Sequence, residues 1–393
     1  MHTVDQLDLK GQRALIRVDF NVPLDDGIVD DDFRLRAALP TIKYCLEQGA
    51  SVVLMSHLGR PKGKVVEEFS LLPVAESLER LLQEDIIFSR DCISEQSIKV
   101  SRGLKAGQVH LLENLRFHPG EGSNDPEFAA KLAEHGTVFI NDAFGTAHRA
   151  HASNVGVAKL FEQKAIGLLM AKEVKFLQEK IADPKKPFVV VLGGAKVAGK
   201  LELVREFLPK ADRILIGGGM AFTFLKAQGA NIGGSLVDDG LIDEAANVLK
   251  EAESQGVTIL LPRDVCAAES VVETAPWRLT GLEELKPDEI GLDIGPETCA
   301  EFGMALQDAE TILWNGPMGV FEFAPFQAGT EMIIAVIAEA TARGATSVVG
   351  GGDSAAAIDR LSEARLFTHI STGGGASLEL LSGKQLPAWE ALA

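Results

Sequence analysis

The chain has 393 residues, enough for two domains of ordinary size, and 46% of them are hydrophobic, enough for sizeable cores. Aromatic residues are only 6%, so those cores must be mainly aliphatic. A formal net charge of −18 excludes nucleic acid or an anionic membrane surface as the main partner, while leaving room for a small anion held by a local basic cluster.

Short apolar runs alternate with helical patterns along the whole chain. In the first half, candidate strands are Ala14–Val18, Ser51–Met55, Gln108–Leu112 and Thr137–Ile140. Several are unbroken Val/Ile/Leu runs, as expected for strands covered on both faces of a parallel sheet. Each is followed by unusual polar residues. Asp19-Phe20-Asn21 follows the first, Ser56-His57-Leu58-Gly59-Arg60 the second, Glu113-Asn114-Leu115-Arg116-Phe117 the third, and Ala143–Arg149 the fourth. Arg34, Arg60, Arg116 and Arg149, with His57, His148 and His151, stand in or near these motifs. Guanidinium groups converging on one crevice would bind phosphate and carboxylate in bidentate fashion. The Gly167–Ile181 stretch reads as a helix, and Ala182–Pro187, with two prolines, reads as a break before a new strand.

The second half offers strands at Phe188–Leu192, Arg213–Ile216, Val257–Leu261, Thr311–Trp314 and Thr346–Val349. Leu241–Gln255 has apolar residues at helical spacing with Gly256 as a stop. The alternation predicts a doubly wound α/β architecture, in which ligands bind beyond the carboxyl ends of the strands. Glycine dominates there: Gly193-Gly194-Ala195-Lys196, Gly217-Gly218-Gly219, Asn315-Gly316-Pro317, Gly350-Gly351-Gly352-Asp353-Ser354 and Ser371-Thr372-Gly373-Gly374-Gly375. Repeated glycine turns after strands suit a polyphosphate approached closely by backbone amides. Asp353 adds an oxygen ligand for a hard cation such as magnesium.

Two familiar patterns are only partly met. Gly194–Lys200 fits seven places of the P-loop pattern, but the eighth is Leu201 instead of a magnesium-binding hydroxyl. What survives is an anion site at a strand–helix turn, with Lys196 and Lys200 expected on one helix face. Phe222 stands where a dinucleotide fingerprint would have its third glycine. A dehydrogenase, a P-loop ATPase and a non-catalytic binding protein remain as rivals at this level. Cys45, Cys92, Cys266 and Cys299 form no CxxC pair and are expected as buried reduced thiols. The opening residues do not read as a signal peptide, and no apolar stretch approaches the roughly 20 residues that span a bilayer.

Taken together, Arg17–Pro23, Ser56–Pro61, Leu111–His118, Ala143–Ala152, Leu192–Val197, Trp314–Glu322 and the last two glycine runs resemble the phosphoglycerate kinase family over essentially the whole chain. One departure is Ser354, where many members carry Thr. The resemblance implies two Rossmann-like, doubly wound parallel-sheet domains joined by a hinge helix. They would cover residues 1–170, completed by a tail at about 373–393, and residues 171–372. It implies a cytoplasmic monomer that moves a phosphoryl group between 1,3-bisphosphoglycerate and ADP, giving 3-phosphoglycerate and ATP. Carried over by position, Asp19, Asn21, Arg34, His57, Leu58, Gly59, Arg60, Arg116 and Arg149 would hold the acid substrate. Lys200, Gly218, Gly291, Asn315, Pro317, Glu322, Gly351, Gly352, Asp353 and Ser354 would meet the nucleotide, with Asp353 positioning Mg2+. Arg34, Lys196, Lys200, Gly373 and Gly374 would stabilise the transferring phosphoryl group. The nucleophile, a carboxylate, is already ionised, so no general base is expected.

Overall fold

The computed structural model describes residues 2–360 and 366–393. It divides into two compact units, Met1–Lys175 with Gln385–Ala393, and Phe176–Lys384.

In the first unit, strands β1 (Arg13–Arg17), β4 (Ser51–Met55), β5 (Ile86–Ser89), β6 (Val109–Leu112), β7 (Val138–Asn141) and β8 (Lys164–Ile166) form one sheet in the order β5-β6-β4-β1-β7-β8. All its pairings are parallel, with β1 and β4 in register from Arg13 opposite Ser51 to Arg17 opposite Met55. Every residue of Ser51–Met55 is buried, which explains why the run shows no polar alternation. One face packs on helix Phe33–Glu47, whose Leu35, Ala38, Ile42 and Cys45 meet Ile16 and Leu54 in the core. Burial of Leu35 and of Ile42 stabilises by roughly 1.5–3 kcal/mol each. A small hairpin, β2 (Leu24–Asp25) and β3 (Ile28–Val29), turns through Asp26 and Gly27, both at positive φ, as an Asp-Gly turn requires. The C-terminal helix Pro387–Leu392 belongs to this unit: Ala388 N–H donates to Ala147 O at 3.1 Å and Lys164 Nζ to Ala391 O at 2.9 Å.

In the second unit, β9 (Phe188–Leu192), β10 (Arg213–Ile216), β11 (Thr258–Leu260), β15 (Thr311–Asn315), β16 (Thr346–Gly350) and β17 (His369–Ile370) form a parallel sheet in the order β11-β10-β9-β15-β16-β17. Its core sets Val189, Val191, Ile312 and Trp314 against Phe302, Ile333, Ile334 and Ile337. A separate antiparallel sheet, in the order β13-β12-β14, comprises β12 (Asp264–Ala268), β13 (Trp277–Gly281) and β14 (Ile290–Ile294). Helix Ile242–Gln255 ends at Gly256, φ +72°, close to its expected bounds.

Both parallel sheets reverse their winding once, between β1 and β7 and between β9 and β15. Crevices open at the carboxyl ends beside such reversals, and the loops after β1, β9 and β15 carry the motifs. Two expectations shift. The helical stretch at 167–181 is α-helical over Leu168–Val174 and π-helical over Lys175–Lys180, and the unit boundary falls between Lys175 and Phe176. The tail joins the first unit only from Gln385. Helix Gly374–Leu381 stays in the second unit because its buried Ala376, Ser377, Leu380 and Leu381 pack beside helix Ala198–Phe207 and β16.

Candidate active site

The first unit gathers its motif residues around the end of β1. Asp19, buried, pairs with Arg34 and lies 3.8 Å from His57 Nδ1. Burial alone would raise the Asp19 carboxyl, but Arg34 and Arg17 outweigh it and hold it below the usual carboxylate range. Burial, with Arg17, Arg116 and Arg34 acting against Asp19, pushes His57 well below its ordinary value, so the ring is neutral at pH 7. The Ser56–Arg60 loop is tied in place from three sides. Asn21 Oδ1 accepts from Gly59 N–H at 2.8 Å, Ser56 Oγ accepts from Phe20 N–H at 2.8 Å, and Arg116 Nη1 donates to Gly59 O at 2.7 Å. Gly59 has φ +60°, and a Cβ there would strike the Phe69 ring. The Leu58 side chain is buried in the core, and only its backbone, whose carbonyl accepts from Asn114 Nδ2 at 2.7 Å, belongs to the loop.

Arg60, Lys62, Arg116, His118, Arg149 and His151 line one cleft of ≈ 390 Å³. Burial and the neighbouring Arg149 and Arg17 bring Arg116 down to about 10, while it stays charged at neutral pH. His151 is brought to about 4 by burial and the surrounding Arg116, Arg17 and Arg149. The cleft is therefore a cluster of positive charge with neutral imidazole beside it. Beneath it runs a buried network that local sequence does not reveal. Arg17, fully buried, donates from Nε to Ser153 Oγ at 2.7 Å, and from other nitrogens to Val18 O and His57 Nδ1. Glu121, also fully buried, accepts from Ser153 N–H at 3.0 Å and Ser153 Oγ at 2.6 Å. Arg17 and Asn114 sit inside motifs already noticed, whereas Glu121 and Ser153 carry no local signal, being 32 residues apart.

The second unit builds a different surface at the ends of β9 and β15. Gly193 N–H donates to Asn315 O at 2.9 Å, Gly194 N–H to Pro317 O at 2.6 Å, and Gly218 N–H to Met318 O at 3.0 Å. Three loops thus lie backbone against backbone. Gly218 has φ +63°, and a Cβ on it would collide with Gly194 N and lie 2.9 Å from Pro317 O. These loops open a cleft of ≈ 480 Å³ walled by Phe222, Leu236, Leu292 and Pro317, with Glu322 and Asp353 on its lining. Gly291 belongs to β14, and its missing Cβ leaves room for the Phe222 ring. The apolar walls come from elements without a motif, so sequence reading missed Leu236 and Leu292 and read Phe222 only as a broken fingerprint.

The two lysines part company. The helix begins at Ala198, so Lys196 is in the exposed loop before it and not on a shared helix face. Gly194, at φ +79°, turns the chain at the strand end while its N–H is bonded to the 317 carbonyl. Lys200 is buried and donates from Nζ to Gly193 O. Burial, opposed by Asp353, lowers it to about 8. Leu201 is buried in the core, which rules out a metal-binding hydroxyl in its place. Behind the cleft, Ser354 Oγ accepts from Gly316 N–H at 2.7 Å, so the serine variant keeps the hydroxyl in use. Asn315 Nδ2 is buried without a hydrogen-bond partner among the described residues, and the sites of missing Cβ atoms on Gly350 and Gly351 lie 3.1 and 3.2 Å from it. Helices Gly352–Arg360 and Gly374–Leu381 bring their N-termini together, a Cβ on Gly374 falling 3.2 Å from Gly352 N. Two converging N-termini favour an anion. Gly373 N–H is already taken by Ser371 Oγ at 3.2 Å. No group of three or more His, Cys, Asp or Glu side chains able to hold a metal occurs among the described residues.

Residues 4–384 match the phosphoglycerate kinase family model. A phosphoglycerate kinase of Chloroherpeton thalassium is 50% identical over 390 residues, covering 99% of this chain and 98% of that one. One of Thermosipho africanus is 50% identical over 392 residues, covering 100% and 97%. The solved phosphoglycerate kinase of Coxiella burnetii superposes with a TM-score of 0.86 at 40% identity, over 99% of this chain and 98% of that one. The basic cleft, the glycine-walled cleft and these full-length matches agree, and the chain belongs to the phosphoglycerate kinase family.

Proposed function

We propose that the arginine cleft of the first unit binds 3-phosphoglycerate and that the glycine-walled cleft of the second binds ADP or ATP, so that the chain performs its family's reversible phosphoryl transfer. The observation that carries this reading is the convergence of Arg60, Arg116 and Arg149 on one small cleft in a chain of net charge −18. The buried Glu121 carboxylate beneath it offsets only part of that charge, and the positive excess suits a phosphate. Asp19 and Arg34, next to Asn21 and His57, would orient the glycerate end, Asp19 taking a hydroxyl and Arg34 the carboxylate.

The acceptor carboxylate has a pKa of about 4 and is ionised at pH 7. No side chain needs to remove a proton, and the neutral His57 and His151 are suited to donating or accepting hydrogen bonds. Lys200, cationic near neutral pH, and the amide ends of helices Gly352–Arg360 and Gly374–Leu381 would stabilise charge on the equatorial oxygens of the moving phosphoryl group. Lys196, being exposed, is free to swing onto the same group. Gly374 and Gly375 offer helix amides, whereas Gly373 would first have to release Ser371. The donor set fits a cation that arrives with the nucleotide: one exposed carboxylate, Asp353, at a helix N-terminus, in keeping with magnesium's use of few protein ligands plus substrate phosphates. Bound there, Mg2+ would neutralise phosphate charge.

The two ligands are assigned to different units, so transfer requires a state in which water is excluded around both. We place the hinge in the Leu168–Lys180 helical stretch. Each chain carries both sites and would act as a monomer, and its four free cysteines suit a reducing cytoplasm. The test is an assay with ATP, magnesium and 3-phosphoglycerate in which acyl phosphate is trapped with hydroxylamine. Product should form only when all three are present. ADP release at an undiminished rate without 3-phosphoglycerate would overturn the reading.

A further inference from the structure

The loop Gly316–Glu322 supplies much of the wall of the second unit's cleft and is anchored by groups outside the loop. Met318 N–H donates to Thr330 Oγ1 at 3.0 Å, and Val320 N–H to Leu292 O at 2.8 Å. Thr330, buried, stands in the first turn of helix Ala328–Ala342. That turn is in turn gripped by Asp293, at the end of β14. Asp293 Oδ2 accepts from Gly329 N–H at 2.7 Å and Oδ1 accepts from Ile294 N–H at 2.9 Å. The carboxyl is also packed against the loop itself, because a Cβ on either Gly319 or Gly329 would strike Asp293 Oδ1. One buried carboxyl thus holds a strand end and a helix start and touches the loop, and one buried hydroxyl passes that position to Met318. Neither has a role in the chemistry described above.

We propose that Thr330 and Asp293 are positioning residues that set nucleotide affinity by fixing the Gly316–Glu322 loop, Thr330 from behind it and Asp293 from the lining of the cleft. The inference rests on the reading of this cleft as the nucleotide site. With Thr330 changed, the Met318 amide is left without its acceptor, and the loop must be ordered at the expense of binding. With Asp293→Asn, one backbone N–H keeps an acceptor and the other faces an NH2 donor.

The experiment compares Thr330→Val and Thr330→Ser, measuring kcat and both KM values together with direct titration of MgADP. Thr330→Val should raise the KM for nucleotide and weaken MgADP binding roughly tenfold, the effect of one lost buried hydrogen bond. The KM for 3-phosphoglycerate should stay within about twofold, and Thr330→Ser, which keeps the hydroxyl, should bind MgADP as the unaltered chain does. Should Thr330→Val fail to fold, Thr330→Ala removes the same hydroxyl with less bulk. Asp293→Asn should weaken MgADP, whereas Asp264→Asn should not. Asp264 holds Glu297 N–H and Thr298 N–H at 2.9 and 2.8 Å in the same manner but on the neighbouring helix Pro296–Leu306. Unchanged MgADP affinity in the valine and alanine variants, or equal rises in both KM values, would overturn the proposal. Absence of MgADP binding by the unaltered chain would instead overturn the assignment of the cleft.

Discussion

Replacing Lys200 by Met should make the protein more stable and far less active. The amine is buried, and burial brings it from 10.5 down to about 8. At 1.36 kcal/mol per pH unit, holding this charge inside costs the folded state roughly 3 kcal/mol at neutral pH. A charge-assisted bond to Gly193 O returns about 1.5–2 kcal/mol of that. Methionine keeps the apolar stem and drops both contributions, so the net gain is roughly 1–1.5 kcal/mol. For a unit spanning Phe176–Lys384 this raises Tm by roughly 2–6 °C. If Lys200 faces the transferring group as proposed, its loss should lower kcat by on the order of 10²–10³. The native lysine also predicts a pH dependence. The cationic form predominates at pH 7, is half lost at pH 8 and continues to fall above it, so kcat/KM for the nucleotide should fall about tenfold per pH unit well above that point. Calorimetry and a pH series on both proteins test the whole chain of reasoning. A variant with lowered Tm, with kcat within threefold of the parent, or with the same alkaline fall would refute it.

Other outcomes follow from the same geometry. Gly218→Ala forces a Cβ into φ +63° and against Gly194 N, costing about 1–2 kcal/mol from backbone strain alone, and should raise the nucleotide KM at least tenfold in steady-state assays. Arg34→Ala should lower kcat by on the order of 10²–10³, leave MgADP affinity within twofold by titration, and cost about 1–3 kcal/mol in urea unfolding because buried Asp19 loses its partner. Acid should destabilise the first unit. Burial holds both His110 and His135 at about 4, so between pH 6.5 and 4 the unfolded chain binds protons that the native state refuses. Each histidine should then forfeit roughly 2 kcal/mol between pH 6.5 and 5, and His110→Gln should flatten that slope in urea titrations.

Much of the sheet architecture was readable because fully buried parallel strands leave unbroken apolar runs. Ser51–Met55, Phe188–Leu192 and Arg213–Ile216 fall where the runs predict. Two of the elements that escaped lack such a run, whereas Asp264–Ala268, fully buried, escaped because its run is only Val265 with Cys and Ala. Ile86–Ser89 ends in half-buried Phe88 and Ser89, and Trp277–Gly281 exposes Trp277 and Leu279 while turning Thr280 inward, so neither resembles a covered strand. The motifs located the clefts but not the internal wiring. Lys196 and Lys200 look equivalent at a spacing of four, but the helix begins only at Ala198, after a turn whose Gly194 N–H bonds Pro317 O, and that leaves one lysine exposed and the other buried. Likewise Glu121 with Ser153, and Asp293 with Gly329, are buried polar pairs closed over 32 and 36 residues, a distance across which no local pattern speaks.

The central claim is that the acid substrate and the nucleotide are held by separate units with separate chemistry. Titration calorimetry of 3-phosphoglycerate and of MgADP into the unaltered chain, Arg149→Ala and Gly218→Ala tests it most directly. The account predicts that Arg149→Ala loses 3-phosphoglycerate binding and keeps MgADP, and that Gly218→Ala does the reverse. Loss of both ligands in a folded single variant, or of neither in both variants, would contradict it.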